Sequence, residues 1–316
     1  MGVAKSILEL IGNTPLLELS RRINPTGVRI LAKLEYFNPA GSVKDRVGLS
    51  LVEAAERSGK LRPGMTLVEP TSGNTGLGLA LAALLKGYRL VVTMPDKVSQ
   101  EKRALLQAYG AEVVICPTQV KPDDPESYYS VARRIAAERQ AFLPNQYENP
   151  ANPEAHYRST GPEIWQQTEG RLDGFVAGVG TGGTISGSGR YLKEQNPNIK
   201  VVGVDPEGSM IYSQFYRQEH DLHPYLVEGI GEEFIPQTLN LAIMDEVIRV
   251  GDQESFEMAR ELLHQEGLFI GGSSGAAVVG ALRYAEKIRQ GTLVVLLPDS
   301  GHNYLGRLYS SKALSR

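Results

Sequence analysis

Apolar positions along this chain follow two alternating rhythms. The short apolar runs Thr66 to Glu69, Arg89 to Met94 and Glu112 to Ile115 alternate with stretches from Leu77 to Lys86 and Gln100 to Tyr109, where apolar residues recur at helical spacing. The runs predict buried strands and the spaced stretches predict helices. The pattern resumes with Gly174 to Val179, Lys200 to Val204 and Thr292 to Leu297, each ending beside glycine, proline or aspartate. Such alternation predicts an α/β protein with mostly parallel twisted sheets flanked by helices. Between the two sets lies Pro144 to Pro153, rich in turn residues and lacking either rhythm. It marks a boundary between two lobes, residues 1–149 and 150–316, leaving open whether the earliest residues cross to the second lobe.

Composition narrows the class. A chain of 316 residues with 41% hydrophobic content can bury two lobes. Its 33 basic and 36 acidic residues nearly balance, and no basic run suggests a nucleic-acid footprint, so no nucleic acid is expected as a partner. No apolar stretch is long enough to span a bilayer and no signal-peptide pattern opens the chain, so no membrane is expected. Met1-Gly2 with Ser6 matches the short myristoylation pattern, but no polybasic patch supports it. The one cysteine, Cys116, excludes an internal disulfide, fits a cytoplasmic protein, and reads as a small buried hydrophobe ending the run Val113 to Ile115. No metal is expected, because His220 and His223 lack further clustered ligands.

The chemistry concentrates in one lysine and three small-residue turns. Lys44 lies in the run Asn38 to Arg46, where Ser42 and Asp45 read as a capping box ahead of Val43, Val47, Leu51 and Ala55 at helical spacing. Lys44 then falls near N2, where the helix dipole disfavours an ammonium and favours a nucleophilic amine, although Asp45 opposes this. Thr71-Ser72-Gly73-Asn74-Thr75-Gly76 follows a strand and opens a helix, which suits an anion or serves as a capped turn. Gly178 to Thr184 follows another strand and resembles a phosphate cradle, with no Gly-Lys-Ser/Thr ending for a nucleotide-hydrolysing loop. Its glycines, with Asp205 ending the next strand, also satisfy a dinucleotide fingerprint. The third turn, Gly271 to Gly275, precedes a helix from Ala276 to Arg289. On its own it would be a cap.

Together these segments resemble the cystathionine β-synthase and cysteine synthase family of fold-type II pyridoxal-phosphate enzymes, which share the tryptophan synthase β-like fold. The likeness runs from Ile11-Gly12-Asn13-Thr14-Pro15-Leu16 to Pro298-Asp299-Ser300. The resemblance implies that Lys44 forms the Schiff base with pyridoxal 5'-phosphate and that Asn74 meets the cofactor's phenolic oxygen. It assigns Gly180, Thr181, Gly182, Gly183 and Thr184 to the phosphate and Ser273 to the ring nitrogen. Thr71, Ser72, Thr75 and Gln146 would bind the amino-acid carboxylate. Small amino-acid and thiol substrates and a homodimer are the implied partners. The glycine fingerprint then becomes a phosphate cup, and a nicotinamide cofactor becomes a remote alternative.

Within the family, Tyr225-Leu226-Val227-Glu228-Gly229-Ile230-Gly231 is similar to the cystathionine β-synthase version of its loop, and Asp205 to Ser209 and Pro298 to Tyr304 lean the same way. The resemblance thus implies β-replacement of L-serine by L-homocysteine, with Glu228 and Tyr225 as further catalytic candidates. O-Acetylserine with sulfide is the competing substrate pair. A non-catalytic homologue or assembly partner is the alternative of a different class, and an intact Lys44 argues against it.

Overall fold

Runs rich in valine and leucine form most of the strands, and glycine, proline or aspartate stands at or just after the end of β3 to β9. The computed structural model describes residues 2–71, 73–96, 98–121 and 123–310. Among these the strands are β1 (Leu16–Glu18), β2 (Arg29–Leu34), β3 (Thr66–Pro70), β4 (Arg89–Pro95), β5 (Glu112–Cys116), β6 (Gly174–Gly178), β7 (Lys200–Pro206), β8 (Glu246–Val250) and β9 (Thr292–Leu297). The α-helices are α1 (Lys44–Arg57), α2 (Asn74–Lys86), α3 (Gln100–Ala108), α4 (Tyr128–Glu138), α5 (Ala151–Ala155), α6 (Gly161–Gln167), α7 (Gly183–Gln195), α8 (Met210–Tyr216), α9 (Asp252–Glu266) and α10 (Gly272–Ile288). The α/β class expected from the alternation is the class observed.

The chain divides into two compact units, Met1–Ile11 with Asn38–Asn152, and Gly12–Phe37 with Pro153–Arg316. Gly12–Phe37 therefore belongs to the second unit although it precedes most of the first in sequence.

In the first unit β3, β4 and β5 form a parallel sheet in that order. Phe142 extends it, pairing beside Leu67 in a parallel bridge on the edge of β3. Leu67, Val68, Val91 and Val92 are buried, as expected for strands covered on both faces. Cys116 is buried at the end of β5, and burial pushes its thiol up. Helices α1 and α2 cross with their backbones in contact. A Cβ at Gly48 would lie 2.2 Å from the carbonyl carbon of Gly78, and one at Gly78 would lie 2.2 Å from the carbonyl oxygen of Lys44. Only glycine permits this approach.

The second unit has a six-stranded sheet in the order β1-β2-β9-β6-β7-β8, parallel except for β1. Strand order reverses at β6, since β7 and β8 continue to one side while β9 and β2 lie on the other. Ligands in open α/β sheets bind outside the carboxyl ends of strands at such a reversal. The turn from Val179 to Gly182 leaves β6 at that end. Strand β2 was not evident from the sequence because Lys33 interrupts its apolar run. Fully buried, Lys33 donates to the carbonyl of Thr14 at 2.7 Å, to Glu163 at 2.8 Å and to Gln167 at 2.9 Å.

Candidate active site

Lys44 is the first residue of α1 and is half-buried. The Ser42 hydroxyl accepts its backbone N–H at 3.2 Å, while the buried Asp45 carboxylate reaches back to the N–H of Ala40. The expected capping box is therefore not the arrangement formed. Ser42 lies one residue outside the cap position, Asp45 accepts the Ala40 N–H and, at 3.5 Å, the Ser42 hydroxyl, and Lys44 sits at N1 rather than N2. The contact between Gly78 and the Lys44 carbonyl sets the first turns of α1 and α2 side by side. Asn74 opens α2, with Gly73 as its cap residue.

Thr71, Thr75 and Gln146 are all buried around this helix start. Thr71 Oγ1 accepts the N–H of Gly73 at 3.2 Å, and the Thr75 hydroxyl donates to Gln146 Oε1 at 2.5 Å. Two of the expected carboxylate ligands, 71 positions apart, are thus hydrogen-bonded to each other. Ser72 lies outside the described residues. Two further side chains belong to this corner and had no role assigned from the sequence. Glu69, fully buried at the end of β3, accepts the backbone N–H groups of Asn145 and Gln146 at 2.8 and 3.0 Å. Burial pushes its carboxyl up to about 7, against the pull of these two donors. Lys102, buried on α3, reaches the same turn: a Cβ at Gly73 would lie 3.5 Å from its Nζ. An acidic strand end and a lysine on a helix both resemble solvated surface positions in sequence, so only their burial marks them.

In the second unit, Gly180, Thr181 and Gly182 pass from β6 into α7, which begins at Gly183. Gly182 is the cap residue at φ 80°, and a Cβ there would lie 2.4 Å from Leu239 Cβ. A Cβ at Gly180 would lie 2.6 Å from the carbonyl oxygen of Gly229. The backbone at both positions is therefore bare by necessity. Thr238 fixes the turn by donating to the Thr181 carbonyl at 2.6 Å. Thr184 Oγ1 lies 3.3 Å from Nε2 of the buried His156, whose Nδ1 meets Thr160 Oγ1 at 2.9 Å. Bare backbone, threonine hydroxyls and a helix N-terminus at the end of β6 fit a phosphate group.

Ser273 is buried in the first turn of α10. The helix starts at Gly272, earlier than the expected Ala276, so Ser273 and Ser274 are helical rather than part of a preceding turn. A serine hydroxyl can meet a pyridine nitrogen without carrying charge. The buried Asp299 and Tyr304 flank the α10 start: Tyr304 donates to Asp299 at 2.7 Å, and Gly271 N–H donates to the Asp299 carbonyl at 3.2 Å. Burial, with Asp299 and Glu228 nearby, holds the Tyr304 phenol well above its usual range.

The loop carrying Tyr225 and Glu228 packs against the cup. Gly231 N–H donates to the Val179 carbonyl at 2.7 Å, and the Gly229 carbonyl lies against Gly180. Asp252 anchors the other end by accepting the N–H groups of Leu226 and Val227 at 2.7 and 2.9 Å. Tyr225 and Glu228 are both half-buried, and Arg307 donates to Glu228 Oε1 at 2.9 Å. Asp205, whose spacing matched a ribose ligand, instead accepts the N–H of Tyr212 at 2.8 Å and is fully buried beneath α8.

The parallel α/β sheets are those of a pyridoxal-phosphate dependent enzyme. The chain belongs to that family, whose model matches residues 7–299. It is 48% identical over 314 residues to cystathionine beta-synthase of Rattus norvegicus, covering 98% of this chain and 56% of the relative. It is 46% identical over 308 residues to a cysteine synthase of Staphylococcus aureus, covering 96% of this chain and 97% of the relative. The chain thus spans little more than half the length of the rat relative. A solved structure of O-ureido-L-serine synthase with O-ureido-L-serine bound shares 37% identity at a TM-score of 0.91, covering 98% of this chain and 95% of that one. A hydrogen sulfide-producing enzyme of Fusobacterium nucleatum shares 36% identity at a TM-score of 0.89, covering 96% and 98%. Among the described residues no helix is long and apolar enough to cross a membrane.

Proposed function

We propose that this chain catalyses β-replacement, joining L-serine and L-homocysteine to give L-cystathionine and water. The observation that carries the choice of substrates is the carboxylate of Glu228, presented by a loop whose backbone packs on the Val179–Gly180 turn. Pyridoxal phosphate, when bound, supplies an electron sink for the amino acid's Cα. Gly180, Thr181, Gly182, Gly183 and Thr184 hold its phosphate, Asn74 its phenolic oxygen and Ser273 its ring nitrogen. Lys44 would anchor the cofactor, and its amine would accept the substrate's Cα proton. The Ser273 hydroxyl, which carries no charge, would meet the ring nitrogen of the bound cofactor without adding a counter-ion there. Thr71, Ser72, Thr75 and Gln146 receive the substrate carboxylate through hydroxyl, amide and backbone N–H donors. Glu228 and Tyr225 assist departure of hydroxide, a poor leaving group, and receive the thiol substrate's ammonium.

A second reading, cysteine synthesis from O-acetylserine and sulfide, is favoured by the match to the Staphylococcus aureus cysteine synthase along nearly its whole length. Steady-state kinetics with serine or O-acetylserine, each offered homocysteine or sulfide, separate the two. Serine with homocysteine is expected to give the highest kcat/KM. Dominance of O-acetylserine with sulfide by orders of magnitude would replace the first reading with the second. The reading also carries a cytoplasmic homodimer, whose assembly sedimentation would measure.

A further inference from the structure

One buried carboxylate governs the backbone that presents Gln146. Glu69 is the fourth residue of β3, and both of its oxygens are engaged, Oε2 by Asn145 N–H and Oε1 by Gln146 N–H. Consecutive donors held by a single side chain fix the direction of the intervening peptide as well as its position. Asn145 adopts φ 51°, a left-handed conformation that non-glycine residues visit rarely. The paired hydrogen bonds donated to Glu69 by Asn145 and Gln146 N–H offset that cost. On the far side, the Asn152 side-chain amide donates to the Gln146 carbonyl at 2.8 Å, so the Gln146 backbone is gripped at both N–H and C=O. Its side chain is then aimed at Thr75, whose hydroxyl it accepts at 2.5 Å.

The strand bearing Glu69 also launches the anion-suited turn, because Pro70 ends β3 and Thr71 follows at once. Thr71 is pinned to the neighbouring strand by its N–H donating to the Thr93 carbonyl at 3.0 Å. Upstream of Asn145, Phe142 runs along the edge of β3, exchanging backbone hydrogen bonds with Thr66 and Val68 at 2.9 Å. Thr71, which follows β3, and Asn145 with Gln146, which follow the segment paired beside it, therefore meet at the end of this strand. Glu69 is the side chain that joins them there.

We propose that Glu69 is a positioning residue for recognition of the amino-acid carboxylate, acting by orienting Gln146 toward Thr75. The proposal rests on the reading that Thr71, Thr75 and Gln146 bind that carboxylate. Glu69 touches no substrate itself. Its removal should weaken donor binding while leaving cofactor anchoring, which belongs to Lys44 and the phosphate cup, intact.

The test uses the holoenzyme and the variants Glu69→Gln, Gln146→Ala and the two combined. Glutamine keeps the size of Glu69 but can accept only one of the two N–H groups. Glu69→Gln is expected to weaken L-serine binding, measured by calorimetry without thiol, by roughly tenfold, the scale of one lost hydrogen bond. KM for the amino-acid donor should rise in parallel, with kcat within about twofold and the visible cofactor absorbance unchanged. In the Gln146→Ala background, Glu69→Gln should add nothing, since its effect passes through Gln146. Full additivity in the double variant would overturn the proposal. A weakened Gln146→Ala beside an unaffected Glu69→Gln would overturn it too, while the carboxylate-site reading stood. An unaffected Gln146→Ala would remove that reading and the proposal together. Should Glu69→Gln fail to fold, amide exchange in the native protein decides. Asn145 and Gln146 should exchange as slowly as the core of β3, and fast exchange there would sink the idea.

Discussion

Arg307 and Glu228, 79 positions apart, form an ion pair at 2.9 Å on the loop that packs against the glycine turn after β6. The side chains retain 57% and 33% exposure, so the pair sits in a screened environment and contributes little to stability. Arg307→Ala should shift unfolding free energy by no more than about 0.5 kcal/mol, measurable by urea denaturation. Glu228→Gln should act on chemistry instead, lowering serine–homocysteine turnover by about a hundredfold with the cofactor spectrum retained, and Tyr225→Phe should lower it less. Unchanged turnover in both variants would remove Glu228 and Tyr225 from the reaction.

Lys44→Ala should abolish the visible absorbance of the anchored cofactor and lower turnover by about a thousandfold or more. Far-UV circular dichroism should be unchanged, because alanine is favourable at a helix start and the Lys44 carbonyl that meets Gly78 remains. Retention of that absorbance would place the anchor on another lysine.

Gly78→Ala opposes two effects whose sizes decide the outcome. Alanine improves helix propensity by about 1 kcal/mol. Against this, the new Cβ would sit 2.2 Å from the Lys44 carbonyl oxygen, a backbone atom that cannot rotate away. Forcing α1 and α2 apart should win, with a net loss of about 2 kcal/mol. Urea unfolding would measure it, and cofactor loading should fall with it because Lys44 moves. A more stable Gly78→Ala would mean that the helices do not cross in backbone contact.

Burial pushes the Asp205 carboxyl up to about 7, opposed by Ser209, the Tyr212 N–H and Arg249. A carboxyl raised above its unfolded value is more protonated in the folded state, so its contribution is most favourable below the unfolded value of 3.8. It declines as pH rises through the interval up to about 7. Asp205→Asn removes that ionisation while keeping an acceptor for Tyr212. Its melting temperature relative to the parent should therefore improve from pH 5 to pH 8, by the equivalent of about 3 kcal/mol at most. A difference that is constant or reversed between these pH values would contradict the raised carboxyl.

The sequence by itself determined what depends on near neighbours. Apolar runs and helical spacing located β3 to β7, β9, and the helices α2, α3 and α7, but not α5, α6, α8 or α9, because side-chain periodicity is a local consequence of backbone geometry and is clear only in strongly patterned segments. The turns after β3 and β6 were legible for the same reason, since glycine, serine and threonine at a strand end encode their own dihedrals and donors. Tertiary structure decided what depends on burial and distant partners. Strand β2 was hidden by Lys33, whose charge is met by Glu163 at 130 positions' remove. The starts of α1 and α10 differ from those expected: the cap of α1 falls at Val43 while Asp45 reaches Ala40, and Ser273 lies inside α10, which begins at Gly272. Glu69 and Lys102 look like surface residues until the fold encloses them. Side-chain orientation is set by groups the chain brings back from far away, as the hydrogen bond from Thr75 to Gln146 shows.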